Sequence, residues 1–291
     1  VYKIDINPTG WFYEEGEKVV EVDKNDFSLV LDDKKIIFDA VFIGMHGTPG
    51  EDGKLQGYFD LLGLPYTSCN AATSALTFNK RYTVAVAAMA GIHVAKSVLL
   101  IKNRFTNADE VVDHLQFPVF VKPNNGGSSI GMSKVNSASE ELGAAIEKAF
   151  KEDEQVLVEE YISGREFTVG VFRDGKDIAV LSITEVISKK EFFDFEAKYE
   201  GLSSEITPAQ MDEEWKIKIE KAAVKIYEVF NCKGMVRIDF IYNTDKNAPF
   251  MLEINTVPGQ SEASIIPQQV RAKGWKLQDF YTKLVMDALA G

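Results

Sequence analysis

The sequence predicts an α/β chain: an N-terminal open α/β sheet domain, followed by two α+β units built on antiparallel sheets. Three observations predict it. Residues 40–67 read as strand, Gly-rich loop, helix and strand. Two pairs of alternating segments close over short polar turns: 167–172 with 178–187, and 237–242 with 250–255. Helical periodicity over 139–150 and 213–230 supplies layers to cover those sheets. The expected units are 1–73, 74–158 and 159–291.

Residues 1–6 alternate like a strand, and Asn7-Pro8-Thr9-Gly10 and Asp32-Asp33 read as turns. Residues 40–45 form a buried-type strand that enters His46-Gly47-Thr48-Pro49-Gly50-Glu51-Asp52-Gly53. That loop is either a plain turn or a ligand loop. Its three glycines with His, Glu and Asp, at the C-terminal end of a strand, favour the ligand loop. A helix over 55–62 stops at Gly63, and 65–67 begins the next strand. Residues 74–115 read as mainly helical, with a short strand near 98–101. Strands follow at 117–122, 130–135 and 156–160, with a helix over 139–150 that Ser137 or Ser139 would cap. Residues 188–211 lack periodicity and read as an active-site lid. Helices over 213–230 and 277–289 complete the chain. Because residues 1–6 resemble a strand in mid-sheet, the sequence also predicts upstream residues, about 30 if they form one strand–loop–helix unit.

The 291 residues carry a net charge of −12, which argues against a broad nucleic-acid surface but leaves room for a local basic pocket. Cys69 and Cys232 form no CxxC pair, so neither a zinc ribbon nor a disulfide framework is expected, and a reducing cytoplasm is. No run of 18 apolar residues predicts a membrane span, and no signal peptide opens the chain.

The most informative chemistry lies in the second hairpin. Centred near Lys246, it sets Asp239 opposite Glu253 and Arg237 opposite Asn255, with Ile238, Phe240, Leu252 and Ile254 on the other face. Two carboxylates and an amide oxygen suit Mg²⁺, which also takes phosphate oxygens; the alternative is an exposed face with a salt bridge. The loop Gly126-Gly127-Ser128-Ser129 lacks a P-loop or dinucleotide fingerprint and is either a flexible phosphate lid or an ordinary β-turn. Lys122 ends a strand on the same side, where a cation could offset phosphate charge, and Lys80 and Lys198 are further candidates. Glu159, Glu160 and Glu166 flank a natural hinge, either an adenine and ribose site or an acidic linker. Residues 255–264 join the acidic strand to a loop of small residues able to bind an oxyanion or a carboxylate.

In order, five blocks resemble the D-alanine–D-alanine ligase family of the ATP-grasp superfamily: His46-Gly47…Gly50-Glu51-Asp52-Gly53…Gln56-Gly57; Lys122-Pro123…Gly127-Ser128-Ser129-Ile130-Gly131; Glu159…Gly164-Arg165-Glu166; Phe193-Asp194-Phe195…Lys198-Tyr199; and Arg237-Ile238-Asp239…Glu253-Ile254-Asn255…Gly259. The resemblance implies an ATP-dependent ligase that joins two D-alanines through an acyl phosphate, for peptidoglycan precursors. It implies ATP between two antiparallel sheets. Lys80, Lys122, Lys198 and Ser129 would contact phosphates, Glu159 and Ile162 adenine, and Glu166 the ribose. Asp239, Glu253 and Asn255 would hold two Mg²⁺ ions, or Mn²⁺. Arg237 and Gly259 would stabilise the oxyanion, with Ser128 and Tyr199 positioning the attacking amine, His46 near the amino acid and Ser264 on the second carboxylate. Tyr199 would favour D-alanine over D-lactate. The family also implies a homodimer. The chain departs from the family in lacking the opening strand and its substrate-binding glutamate, and in a more polar loop at 260–263. Another ATP-grasp ligase, or a nucleotide-binding module without turnover, are the alternatives.

Overall fold

The first residues form an antiparallel ribbon. The computed structural model describes all residues except 106, 109, 110, 112, 128, 139 and 189–202. In it, β1 (Ile4–Asn7), β2 (Gly10–Glu15) and β3 (Lys18–Glu21) make a meander, and β4 (Leu29–Leu31) pairs with β5 (Lys34–Ile36). Asn7 closes the first turn, its Oδ1 accepting from the N–H groups of Thr9 (2.9 Å) and Gly10 (3.3 Å). Helix α1 (Lys54–Leu62) packs Leu55 and Phe59 against Tyr13, Val22, Phe27, Leu29 and Ile43. It ends where the sequence predicts. Gly63 adopts φ 64°, and the Leu64 N–H donates to Phe59 O at 3.0 Å, a left-handed cap.

The strands expected at 40–45 and 65–67 contract to a single parallel bridge, Val41 with Tyr66. Val41 N–H donates to Pro65 O (2.8 Å) and Thr67 N–H to Val41 O (3.1 Å). The next donor, Ile43 N–H, turns to Thr67 Oγ1 at 3.2 Å, so a side chain replaces the ladder. The apolar run thus foretold burial of Ile43 but not a strand.

Helices α2 (Ala71–Phe78) and α3 (Lys80–Met89) are capped by Asn70 and Asn79, whose side chains accept from Thr73 N and Tyr82 N. A four-stranded antiparallel sheet follows, in the order β6 (Ser97–Ile101), β9 (Gln155–Glu160), β7 (Val119–Pro123), β8 (Ser133–Val135). Helix α4 (Glu140–Ala149) covers it, burying Leu142 and Ile146 with Val119, Val121, Val156 and Val158. β8 starts at Ser133 rather than at 130 because Ser129 (φ 57°) and Gly131 (φ 72°) are left-handed and cannot extend a strand.

The large sheet runs β12 (Ser203–Ile206), β11 (Asp177–Ser188), β10 (Arg165–Asp174), β13 (Met235–Asn243), β14 (Ala248–Asn255), all antiparallel. Helix α5 (Glu213–Val229) presents Ile219, Ala223, Ile226 and Tyr227 at helical spacing to Phe167, Val169, Ile238 and Phe240. Ala87 of α3 and Cys69 join this core, so α3 packs with the large sheet rather than with the small one. Full burial of each large apolar side chain contributes about 1.5–3 kcal/mol. Helices α6 (Ile265–Ala272) and α7 (Leu277–Ala290) cover Phe172 and Leu181 with Ile266, Val270 and Phe280. The expected lid, 188–211, lies mostly outside the described residues, but its residues 203–206 form the edge strand β12. No helix among the described residues is long and apolar enough to cross a membrane.

Candidate active site

Hairpin β13–β14 carries the acidic group. Near its turn the strands pair Asn243 with Ala248 and Phe240 with Met251; beyond Phe240 the register shifts, and Asp239 faces Glu253 and Arg237 faces Asn255. Leu252 is the extra residue of a β-bulge. The bulge corrects one expectation. Met251, not Leu252, shares the core with Ile238, Phe240 and Ile254, while Leu252 lines the cleft. The outer edge of β14 is covered at this point, where Met251 N–H donates to His93 O at 2.8 Å.

Charge is tightly organised on the polar face. Arg237 donates to both oxygens of Asp239, Nε to Oδ1 at 2.9 Å and Nη2 to Oδ2 at 2.8 Å, and approaches Glu253 Oε1 at 3.7 Å. Thr168 Oγ1, on the neighbouring strand, donates to Asp239 Oδ1. Asn255 Nδ2 donates to Asp239 Oδ2 (3.3 Å) and Glu253 Oε1 (3.2 Å), which leaves its Oδ1 as a third oxygen donor. Burial opposes the charge on Arg237, but Asp239, Glu253 and Glu51 more than offset it and hold the guanidinium protonated.

This group lines a cleft of about 470 Å³ between the two sheets. Lys80, Lys122, Ser129, Glu159, Ile162, Glu166, Arg237, Asp239 and Glu253 all line it. Lys122 pairs with Glu159, both largely buried. Lys80 Nζ donates to Gly126 O at 2.6 Å, and burial, together with Lys122, lowers its pKa against the pull of Glu253 and Glu159. The glycine loop is moored by a residue the sequence reading missed. Asn124, fully buried, accepts from Arg81 N–H through Oδ1 (2.8 Å) and from Lys80 N–H through its carbonyl (3.1 Å), while its Nδ2 donates to Gln155 Oε1 (3.2 Å). Its position just after a Lys-Pro strand end was the available signal. Along the hinge, the Glu160 and Tyr161 N–H groups donate to Lys96 O and Pro118 O at 2.9 Å.

A second group adjoins the first. A Cβ on Gly259 would meet Ser264 Oγ at 2.7 Å and lie 3.8 Å from His46 Nε2, so glycine lets these residues converge without Ser264 having to move. Glu51, singled out only as part of its loop, accepts from Gly47 N–H at 2.6 Å. Burial raises its pKa, and His46, Glu253 and Arg237 are close enough to act on it. Gln56 fixes the loop by donating to Gly50 O (2.6 Å) and Ser68 Oγ (3.1 Å). Ser128, Lys198 and Tyr199 lie outside the described residues.

No group of three or more His, Cys, Asp or Glu among the described residues is arranged to hold a metal. The oxygen set here is two carboxylates and one amide. That fits a hard cation which keeps sites for phosphate oxygens, and does not fit a dedicated protein cage.

Two antiparallel sheets closing on a cleft lined by two lysines and by a carboxylate–guanidinium face define an ATP-grasp enzyme. Family models described as "D-ala D-ala ligase C-terminus" and "D-ala D-ala ligase N-terminus" match residues 86–286 and 10–69. The D-alanine–D-alanine ligase of Flavobacterium johnsoniae is 46% identical over 290 residues, covering 99% of this chain and 89% of that protein. The chain therefore belongs to the D-alanine–D-alanine ligase family. The crystal structure of a D-Ala:D-Ser ligase from Enterococcus faecalis is similar with a TM-score of 0.87 at 32% identity, covering 99% of this chain and 89% of that one. A Bacillus anthracis D-alanine–D-alanine ligase complexed with ATP is similar with a TM-score of 0.74 at 29% identity, covering 87% and 79%.

Proposed function

We propose that this chain joins two D-alanine molecules into D-alanyl-D-alanine at the expense of ATP, for peptidoglycan precursors. The convergence of Asp239, Glu253, Asn255 and Arg237 at the lysine-lined cleft carries the reading. ATP occupies the cleft with adenine against Ile162 and the Glu159 strand, ribose toward Glu166, and phosphates toward Lys80, Lys122, Lys198 and Ser129. Asp239, Glu253 and Asn255 hold Mg²⁺, which when bound neutralises phosphate oxygens and polarises the terminal phosphoryl group.

The carboxylate of the first D-alanine attacks the γ-phosphorus. The bond to the β,γ-bridging oxygen breaks, giving ADP and an acyl phosphate. The lysines lower the repulsion between two anions. The amine of the second D-alanine then attacks the acyl carbon, loses a proton, and expels inorganic phosphate. Arg237 and the Gly259 N–H offset the charge that develops on the carbonyl oxygen. Ser264 holds the carboxylate of the second D-alanine beside His46, and Ser128 with Tyr199 orients its amine. Arg237 stays charged throughout because its carboxylate neighbours hold it so. The homodimer and the cytoplasmic location belong to the same proposal.

The test is phosphate release and dipeptide formation from ATP, Mg²⁺ and D-alanine, with D-serine and D-lactate as competing acceptors. Product with D-alanine supports the reading. Product with D-serine alone, the activity in the name of the Enterococcus structure, assigns the acceptor site differently. Nucleotide binding without turnover with any of the three acceptors refutes it.

A further inference from the structure

Strand β10 carries Thr168, which donates to Asp239. Two residues on, its register with β11 shifts between Val169 and Val171, and Gly170 has no partner on β11. An unpaired N–H in a sheet interior is costly. Helix α6 supplies the missing partner. Gln269, fully buried, accepts from Gly170 N–H through Oε1 at 2.8 Å, and its Nε2 donates to Thr168 O at 2.9 Å and Thr184 Oγ1 at 3.0 Å. The amide orientation is fixed, since one neighbour is only a donor and another only a carbonyl acceptor. The helix lies directly on the strand: a Cβ on Gly170 would come within 2.6 Å of Ile266 Cδ1 and 2.9 Å of Gln269 Oε1.

The same helix begins at the other half of the site. Ser264, beside Gly259 and His46, is its N-terminal cap residue, about 7.5 Å along the axis from Gln269 at helical rise. Gln268 extends the connection by donating to Ala263 O in the loop (2.8 Å) and to Glu205 Oε2 on β12 (2.8 Å). Helix α6 therefore touches the acceptor loop at one end and the strand beneath the acidic group along its flank.

We propose that Gln269 is a positioning residue for the acceptor: it locks α6 to β10, and so fixes Ser264 and loop 256–264 at a set distance from Asp239. The proposal rests on the ligase reading. Gln269 touches no reacting atom, and its effect is expected in the placement of the second amino acid rather than in nucleotide binding.

The experiment compares the full chain with Gln269→Leu and with the milder Thr184→Val, which removes one of the three Gln269 hydrogen bonds together with the Thr184–Thr207 hydroxyl contact. Gln269→Leu is expected to raise KM for the acceptor D-alanine about tenfold, about 1.4 kcal/mol, with KM for ATP unchanged within about twofold. Thr184→Val is expected to move the acceptor KM in the same direction by less, which keeps the test open if Gln269→Leu fails to fold. Amide exchange followed by mass spectrometry supplies a readout free of turnover. Loop 256–264 should exchange faster in the variants while β6, β7 and β9 keep wild-type rates. Equal changes in both KM values, a loss of activity that follows the folded fraction alone, or unaltered exchange in loop 256–264 would overturn the proposal. Wild-type protein that shows the loop protection but no turnover with D-alanine would instead defeat the ligase reading and leave the α6–β10 lock standing.

Discussion

At the residue scale, the site depends on charges that hold one another. Asp239 is largely buried and satisfied by Arg237, Thr168 and Asn255, whereas the Glu253 side chain is 41% exposed. Removing Glu253 should therefore cost the fold little and the reaction much. Glu253→Ala is expected to stay folded, with its melting temperature within a few degrees of wild type, and to lose Mg²⁺-dependent turnover by at least about 10²-fold; a metal titration of phosphate release checks it. Glu51 gives a prediction of the opposite kind. Burial raises its pKa above the usual carboxylate value, so over the interval between the two values the folded state binds more protons than the unfolded one. Its contribution to stability is thus present below the ordinary carboxylate pKa and lost as pH rises through the raised one. Glu51→Gln keeps the acceptor for Gly47 N–H and removes the titration. Melts of the two proteins, taken upward in pH from the ordinary carboxylate value, should diverge, the variant gaining relative stability as pH rises. A constant difference across that range would show that burial of Glu51 carries no such penalty.

Single elements show what a sequence makes legible. Strand alternation alone placed Arg237, Asp239, Glu253 and Asn255 on one face, because period-two geometry holds wherever the backbone is extended. It assigned Leu252 to the core, because a bulge reverses the parity of every residue beyond it and no pattern of apolar residues announces one. The pairing of Asp239 with Glu253 is nonetheless the expected one, since the four-residue turn and the extra residue together restore the offset. Asn124 was invisible for a different reason: its partners, Arg81, Lys80 and Gln155, are brought to it only by tertiary packing. This contrast can be measured. Asn124→Ala removes the acceptor of the part-buried Arg81 N–H and the donor to Gln155, two hydrogen bonds, and should cost about 1–3 kcal/mol. It should also raise KM for ATP, because the loop it anchors carries Gly126 and faces the cleft. Asn79→Ala removes the cap of α3, and should cost about 1 kcal/mol without altering KM for ATP. Denaturant midpoints and initial rates on both variants separate the two; equal effects on KM would show that Asn124 acts only through α3.

For the whole molecule, the cleft is an interface between two sheets with separate cores, one built around Val119, Val121 and Val156 and the other around Phe167, Ile238 and Phe240. The sequence foretold both sheets but not that α3 packs with the large one, and so brings Lys80 to the glycine loop of the small one. That bridging follows from Ala87 in the large core and from Asn124 gripping the N-terminus of α3. A nucleotide that contacts Lys122 and Glu159 on one sheet and Glu166 and Asp239 on the other should therefore stabilise the chain as a unit. At a hundredfold excess over Kd, a non-hydrolysable ATP analogue with Mg²⁺ contributes about 2.7 kcal/mol, about 5 °C in melting temperature for a chain of this size. In Glu253→Ala the gain with Mg²⁺ should fall to the gain seen with the analogue alone, since the variant loses a proposed cation ligand and keeps the lysines. In a Lys122→Met variant the gain should shrink with and without Mg²⁺ alike, because the lost partner is a fixed charge of the small sheet. Differential scanning calorimetry on the three proteins decides it. A single transition that rises with ligand in wild type is the expected result. If the two sheets instead melt separately, with only one responding to nucleotide, the ligand does not span the cleft.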